Sequence, residues 1–189
     1  MTTVQVLRAD QRPATPWLNG GGITREVTGY PAGAGLADFH WRVSLADVAQ
    51  GGPFSRFENV DRVITVVEGA GMALTVAGFE HRLAEPFRPF AFPGDAETGC
   101  ELLGGPVVDF NVMTRRGQAT AEVEVADGQR AVTVPPDATV LLVCLSGTAE
   151  LGAADVRLGR YDAALLSTPG EQQLRVDGRT AVVTIRRTA

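Results

Sequence analysis

The sequence predicts an all-β protein built from two tandem jelly-roll barrels with little helix. Three observations favour this fold class: 22 glycines and 11 prolines interrupt the chain every few residues, short β-prone runs lie between them, and the pattern of runs repeats once. The chain has 189 residues, of which 44% are hydrophobic and 21% charged. This composition is typical of packed globular domains and argues against a disordered or collagen-like chain.

Eight segments have the composition of strands, and the stretch Ala46–Gln50 fits a short helical turn. Valine, leucine, threonine and phenylalanine dominate the strand segments, as expected for a half-buried pleated surface. The predicted strands are Val4–Leu7, Phe39–Leu45, Val63–Glu68, Ala73–Val76, Val107–Met113, Thr139–Leu145, Ala163–Leu166 and Ala181–Ile185.

An internal repeat predicts the duplication. The matching pairs, in the same order in both halves, are Asp61–Gly69 with Asp137–Gly147, Phe90–Asp95 with Leu166–Glu171, and Asp109–Arg116 with Val182–Arg187. We therefore expect an N-terminal barrel over residues 1–117 and a shorter C-terminal barrel over residues 118–189. The first copy has the longer loops, and because loops carry sites it is the expected ligand-binding half.

Charge and composition exclude several classes of function. All 17 basic residues are arginine, which removes lysine chemistry and leaves planar cations suited to carboxylate or phosphate. The net charge of −5 disfavours nucleic acid as a partner. The longest apolar run, Val140–Leu145, is too short to span a membrane, and no signal pattern opens the chain. We expect a cytoplasmic protein with neither a nucleic-acid nor a membrane partner.

Two patterns suggest a polar pocket, and each leaves an alternative open. The glycine-rich run Trp17–Glu26 is either an anion-binding nest or a plain turn. In Phe39–Leu45, His40, Arg42 and Ser44 share one strand face and the apolar residues share the other. Alternation alone does not choose which face lines the barrel.

We predict a ligand site in which arginines clamp a carboxylate, small polar side chains orient it and two aromatic rings form an apolar wall. The predicted ligand-binding residues are Asn19, Thr24, Arg25, Trp41, Arg42, Ser44, Ser55, Arg56, Phe57, Arg62 and Asn111. No catalytic residue, metal ligand or cofactor is predicted.

The run "VVEGAG" followed by "FPGD" resembles the cupin pattern. Where that pattern places metal-binding histidines and a glutamate, this sequence has Ser55, Arg56, Phe57, Glu58 and Arg62. Glu58 alone cannot hold a transition metal, so the resemblance implies a metal-free cupin. Five blocks are more specific: "PWLNGGGITREV", "DFHWRVSLADV", "GPFSRFENVDR", "VVEGAGMAL" and "LLGGPVVDFNVMTRR" together resemble the HutD/Ves family.

The resemblance implies a bicupin that binds a small acidic intermediate of histidine degradation, such as N-formylglutamate or urocanate, with a regulatory role in histidine utilisation or stress response. Leu18 is a departure, since the family often has a basic residue at that position. An alternative is a metal-free cupin isomerase, epimerase or hydrolase that uses His40 or a carboxylate as base. A scaffold without a ligand is a third reading, and a homodimer through sheet edges is compatible with the fold.

Overall fold

The computed structural model describes residues 3–152 and 154–188, which form strands and a single 3-10 turn at Ala9–Gln11. The strands in chain order are β1 (Val4–Leu7), β2 (Thr15–Pro16), β3 (Gly22–Tyr30), β4 (Trp41–Val48), β5 (Gly52–Pro53), β6 (Val60–Glu68), β7 (Met72–Val76), β8 (Phe79–Leu83), β9 (Phe90–Pro93), β10 (Thr98–Leu102), β11 (Val107–Arg115), β12 (Ala119–Val134), β13 (Ala138–Leu151), β14 (Val156–Leu158), β15 (Ala163–Leu166) and β16 (Gly170–Arg187). The predicted all-β class is confirmed.

Residues 13–118 form one compact unit of two facing sheets. The larger sheet has the order β2-β3-β4-β11-β6-β9, and the smaller has the order β5-β10-β7-β8. Both sheets contribute apolar side chains to one buried cluster, including Ile64 from β6, Leu74 from β7 and Cys100 from β10. The cluster fills part of the space between the sheets.

Residues 3–12 together with residues 119–152 and 154–188 form the second unit. Its strands follow the order β1-β15-β13-β16-β12, with β14 paired to the far half of β13. Register shifts at Ala126/Gly128 and Cys144/Ser146 divide the long strands into two halves. Each long strand therefore joins two sheet regions without a chain break, which is a common use of β-bulges.

The strand orders of the two units match. The larger sheet of the first unit contains the run β4-β11-β6-β9, and the second unit contains β12-β16-β13-β15. The order β5-β10-β7-β8 corresponds to the far halves of β12, β16 and β13 followed by β14. The predicted duplication is thus present in the topology, although the sheets are open jelly rolls rather than closed barrels.

Two details differ from the sequence predictions. Ala46–Val48 continues β4, so the predicted helical turn is wrong: Ala46 and Val48 are apolar and inward-facing, and they join the buried cluster. The expected boundaries of 1–117 and 118–189 also differ from the observed division at the start of the chain, because residues 3–12 group with the C-terminal unit. β1 pairs with β15, and the Asp162 carboxylate accepts a hydrogen bond from the Ala9 amide, 2.8 Å away.

Among the described residues, no helix is long and apolar enough to cross a membrane.

The close approach of β13 and β16 at Gly147 and Gly178 generates a stability prediction. Both glycines have positive φ, and a Cβ at Gly178 would overlap the Ser146 carbonyl oxygen. Gly178→Ala should lower the free energy of unfolding by more than about 2 kcal/mol, because positive-φ strain and steric overlap add. The matched control is Gly128→Ala in the same unit, where φ is +64° and no atom lies within 4 Å. It should cost about 1 kcal/mol. Equal losses in urea denaturation would contradict the steric account.

Candidate functional site

A cavity of about 450 Å³ lies in the unit formed by residues 13–118. Its floor comes from three adjacent strands of the larger sheet, β4, β11 and β6, and its walls come from the β2–β3 turn and the loops before β4 and after β5. The lining residues are Thr15, Pro16, Trp17, Leu18, Asn19, Thr24, Leu36, Arg42, Ser44, Ala46, Pro53, Phe54, Ser55, Phe57, Arg62, Asp109, Asn111 and Met113.

Eight of the eleven residues predicted from the sequence line this cavity together. They are Asn19, Thr24, Arg42, Ser44, Ser55, Phe57, Arg62 and Asn111. Their strands and loops are far apart in sequence, and the sheet order brings them together. Their contact with a ligand stays a prediction.

Three predicted residues lie outside the cavity lining, each for a definite reason. Arg25 pairs with Asp47 on the neighbouring strand. Trp41 is buried on the face of β4 opposite Arg42. Arg56 is exposed, and its Nε donates a hydrogen bond to the Asp95 carbonyl 3.0 Å away. The apolar wall expected of Trp41 is supplied by other rings.

The glycine-rich run forms the tight turn between β2 and β3. The Gly20 amide donates to the Trp17 carbonyl (3.0 Å), and the Gly21 amide donates to Asn19 Oδ1 (2.9 Å). These two amides close the turn and are therefore not free to form an anion nest. A side chain at Gly22 would meet the Trp17 ring at 3.0 Å, so this glycine lets the ring pack on the backbone. Trp17 Nε1 then donates to Thr24 Oγ1 (2.7 Å).

Strand alternation alone did not assign which face of each strand lines the cavity. The structure shows that it is the polar face. Arg42 and Ser44 on β4, and Asp109 and Asn111 on β11, line the cavity. The intervening side chains are buried on the other face of the same sheet; Phe110 is an example. Both faces are thus buried, which explains why hydrophobicity alone could not assign them.

Arg62 is the buried cation of the cavity, and it is held in an aromatic cage. Its side chain is buried, with the residue only 8% exposed. The guanidinium carbon lies 5.3 Å from the ring centre of Phe54, 5.8 Å from that of Phe57 and 5.0 Å from that of Phe92. Each ring face attracts the cation, by roughly 0.5–2 kcal/mol depending on how dry the site is. The cage fixes the cation without using its N–H groups.

A short chain of hydrogen bonds connects Arg62 to a buried acid. Arg62 Nε donates to Asn111 Oδ1 at 3.3 Å, and Asn111 Nδ2 donates to Asp109 Oδ1 at 3.4 Å. Burial lowers the pKa of Arg62 to about 10, an effect that the charge of Asp109 opposes and that of Arg42 reinforces. Arg62 therefore remains a cation at neutral pH.

Asp109 is the titratable group of the site. It is 1% exposed, and this burial raises the pKa of its carboxyl to about 7. The charge of Arg62 and the hydrogen bond from Asn111 lower that pKa, and the charge of Asp47 raises it. Burial thus moves the titration of the Asp109 carboxyl from the acidic range toward neutral pH.

Arg42 places a second guanidinium on the cavity wall. Its Nε donates to Glu26 Oε2 at 2.6 Å, and this bond ties the side chain to the neighbouring strand β3. Met113 of β11 pairs with Arg42 on one side and with Arg62 on the other, and since Arg42 lowers the pKa of Arg62, the two cations repel each other. An anion between them would relieve this repulsion and would accept hydrogen bonds from planar, forked donors.

The cavity's donor set does not fit a transition metal. Such ions take several histidine, cysteine or carboxylate ligands, and Asp109 is the only residue of these types in the described lining. His40 lies outside it, with its ring edge against Tyr30 at 5.4 Å, and His81 lies beside Phe90. Residues 3–152 and 154–188 contain no group of three potential metal-binding side chains.

The predicted ligand-binding set left out three residues that shape the site: Trp17, Phe54 and Asp109. Each carried a usable signal. Asp109 shares a strand face with Asn111, two residues away, while Trp17 and Phe54 lie next to the predicted positions in their loops. The aromatic cage itself left no sequence signal, because Phe92 is on β9 and joins Phe54 and Phe57 only through the fold.

The buried acid predicts a pH-dependent stability. A folded-state pKa raised above the unfolded value stabilises the fold at low pH, and that contribution is lost as pH rises from about 4 to about 7. Asp109→Asn keeps the acceptor for Asn111 but removes the titration. The free energy of unfolding of the variant, minus that of the parent, should therefore increase between pH 4.5 and 7.5 in urea denaturation. A constant difference would show that Asp109 titrates normally.

Comparison with known sequences identifies the family. A sequence model of the HutD family matches residues 9–184. The "uncharacterized 21.2 kDa protein in hutC 3′ region" of Pseudomonas putida is 40% identical over 187 residues, covering 97% of both chains. Protein Ves of Citrobacter koseri is 40% identical over 142 residues, which cover 74% of this chain and 72% of the relative.

Solved structures agree with these sequence matches. The structure of HutD from Pseudomonas fluorescens SBW25 in a formate condition superposes with a TM-score of 0.88 at 35% identity, covering 99% of this chain and 100% of that one. A bacterial pirin from Escherichia coli in complex with nickel(II) has a TM-score of 0.70 at 9% identity, covering 97% and 98% of the two chains, which is a likeness of cupin fold alone. The chain therefore belongs to the HutD family and has its bicupin fold.

Proposed function

We propose that this protein binds a small carboxylate metabolite in the cavity and thereby serves a regulatory role in histidine utilisation or stress response. The observation that carries the proposal is the caged Arg62. Among the described residues, this buried cation makes one hydrogen bond, which uses Nε and leaves the outer edge of the guanidinium for a ligand. A carboxylate matches that planar edge with two parallel hydrogen bonds.

The remainder of the lining suits a small acid. Ser44, Thr24 and Asn111 present hydroxyl and amide groups, while Trp17 and Phe57 add apolar area. Small-ligand sites commonly combine a mostly apolar wall with a few placed polar groups. N-formylglutamate and urocanate are the candidate ligands. The name of the Pseudomonas putida relative, which locates it beside hutC, supports the link to histidine utilisation.

The proposal predicts that binding depends on Arg62. Arg62→Met should weaken the affinity for N-formylglutamate or urocanate at least about tenfold in isothermal titration, since charge-assisted hydrogen bonds contribute about 1.5–3 kcal/mol. Methionine fills the aromatic cage, and Asp109 without its cation stays protonated, so the variant should fold. Thermal melting checks this.

Arg56→Met is the matched control, because it removes the same charge six residues away and outside the cavity. Its affinity should equal that of the parent. Equal weakening in both variants would indicate a general electrostatic effect, and full binding by Arg62→Met would overturn the proposed site. If the methionine variant does not fold, Arg62→Lys is the alternative. It keeps the positive charge but lacks the paired N–H donors of a guanidinium, so it should bind the carboxylate more weakly than the parent.

A second candidate function is a metal-free cupin enzyme acting on a small acid. Asp109 supports it, because a buried carboxyl with a pKa near 7 beside a substrate-sized cavity has the properties of a general acid or base. His40, the base considered from the sequence, lies outside the described lining. A ligand-free scaffold is less well supported, because the cavity is open and polar at its base.

Asp109→Asn separates binding from catalysis. If the protein only binds, mass spectrometry will find N-formylglutamate or urocanate unchanged after long incubation with the parent protein. If it is an enzyme, the parent will form product and Asp109→Asn will lose that activity at least about a hundredfold while still binding, in line with typical acid–base contributions. His40→Ala serves as the control and should leave any turnover intact.

A further inference from the structure

The mouth of the cavity carries two exposed leucines. Among the described residues the exposed large apolar side chains are Leu18, Tyr30, Leu36 and Phe79, and two of these four, Leu18 and Leu36, line the cavity. Leu18 is fully exposed in the β2–β3 turn, and Leu36 is 55% exposed in the loop before β4. Single exposed leucines are common, but two from separate loops that line one cavity offer apolar surface to a ligand.

Charge and burial follow the same gradient through the cavity. The charged lining residues are Arg42, Arg62 and Asp109, and none of them is in the exposed class. The exposed lining residues are all uncharged: Thr15, Pro16, Leu18, Asn19, Leu36, Pro53 and Ser55. The cavity therefore has a charged base and an uncharged mouth, where Leu18 and Leu36 are the large apolar side chains.

Resting on the proposed function, we infer that the cavity takes a monocarboxylate with an uncharged, apolar far end, its acid group on Arg62 and its far end against Leu18 and Leu36. A second carboxylate at the mouth would be partly desolvated against leucine and proline, and none of the exposed lining residues is a counter-ion for it. An alkyl or ring end there would remove both leucines from water.

The inference ranks the two candidate ligands. Urocanate carries one carboxylate and a flat ring, whereas N-formylglutamate carries two carboxylates. Arg42, the other cation of the lining, is already paired with Glu26, so when one acid group of N-formylglutamate binds Arg62 the other would lie toward the uncharged mouth. We therefore expect urocanate to bind more tightly than N-formylglutamate.

Hexanoate and adipate test the inference directly. The two probes share a six-carbon skeleton and differ only in a terminal methyl or carboxylate group. In isothermal titration of the full chain at pH 7.5, hexanoate should bind at least about tenfold more tightly than adipate. Leu18→Arg should weaken hexanoate binding and strengthen adipate binding. The dissociation constant of adipate divided by that of hexanoate should therefore fall at least fivefold.

Phe79→Arg is the matched control, since it adds the same charge at an exposed apolar position of β8 outside the described lining. It should leave the ratio unchanged. Adipate binding as tightly as hexanoate to the parent, or equal changes in both variants, would overturn the inference and leave the proposed function standing. If none of hexanoate, adipate, urocanate and N-formylglutamate binds at millimolar concentration, the proposed function itself fails.

Discussion

A charged guanidinium taken out of water is costly, and a fold that buries one must surround it with compensating groups. In this protein the three rings around Arg62 attract its positive charge through their faces, and Asp109 supplies an opposing charge through Asn111. Neither the ring contacts nor the hydrogen bond to Asn111 uses the terminal N–H groups of the Arg62 guanidinium. The compensation is therefore incomplete, and the cavity beside Arg62 is where an anion would complete it.

The duplicated fold explains why the site belongs to one half. β6 and β11 of the first unit carry Arg62, Asp109 and Asn111 toward the cavity. The corresponding strands of the second unit, β13 and β16, carry Val140, Leu142 and Val182 into a buried apolar cluster. In the second unit these strand faces pack in an apolar core, which stabilises the fold. In the first unit the same faces line a polar cavity and pack less completely. Functional sites often depart from optimal packing in this way.

Much of the fold follows from local sequence signals, and the site follows in part. Glycine and proline spacing and the internal repeat predicted two jelly rolls, because turns and strand lengths are local properties. Alternation grouped Arg42 with Ser44 but did not assign their face, since both faces of β4 are buried. Arg25 and Arg56 were misplaced because their partners, Asp47 and Asp95, are tertiary contacts. The aromatic cage depends on long-range pairing, which the sequence does not encode locally.

The central claim is that a carboxylate binds to Arg62 with its far end toward Leu18 and Leu36. A crystal structure of the protein soaked with 3-bromopropionate, with anomalous data at the bromine edge, tests it most directly. The account predicts carboxylate density within hydrogen-bonding distance of the Arg62 guanidinium and the bromine peak on the side of the mouth. A bromine peak against Arg62, or an occupied site elsewhere with this cavity holding only water, would contradict it.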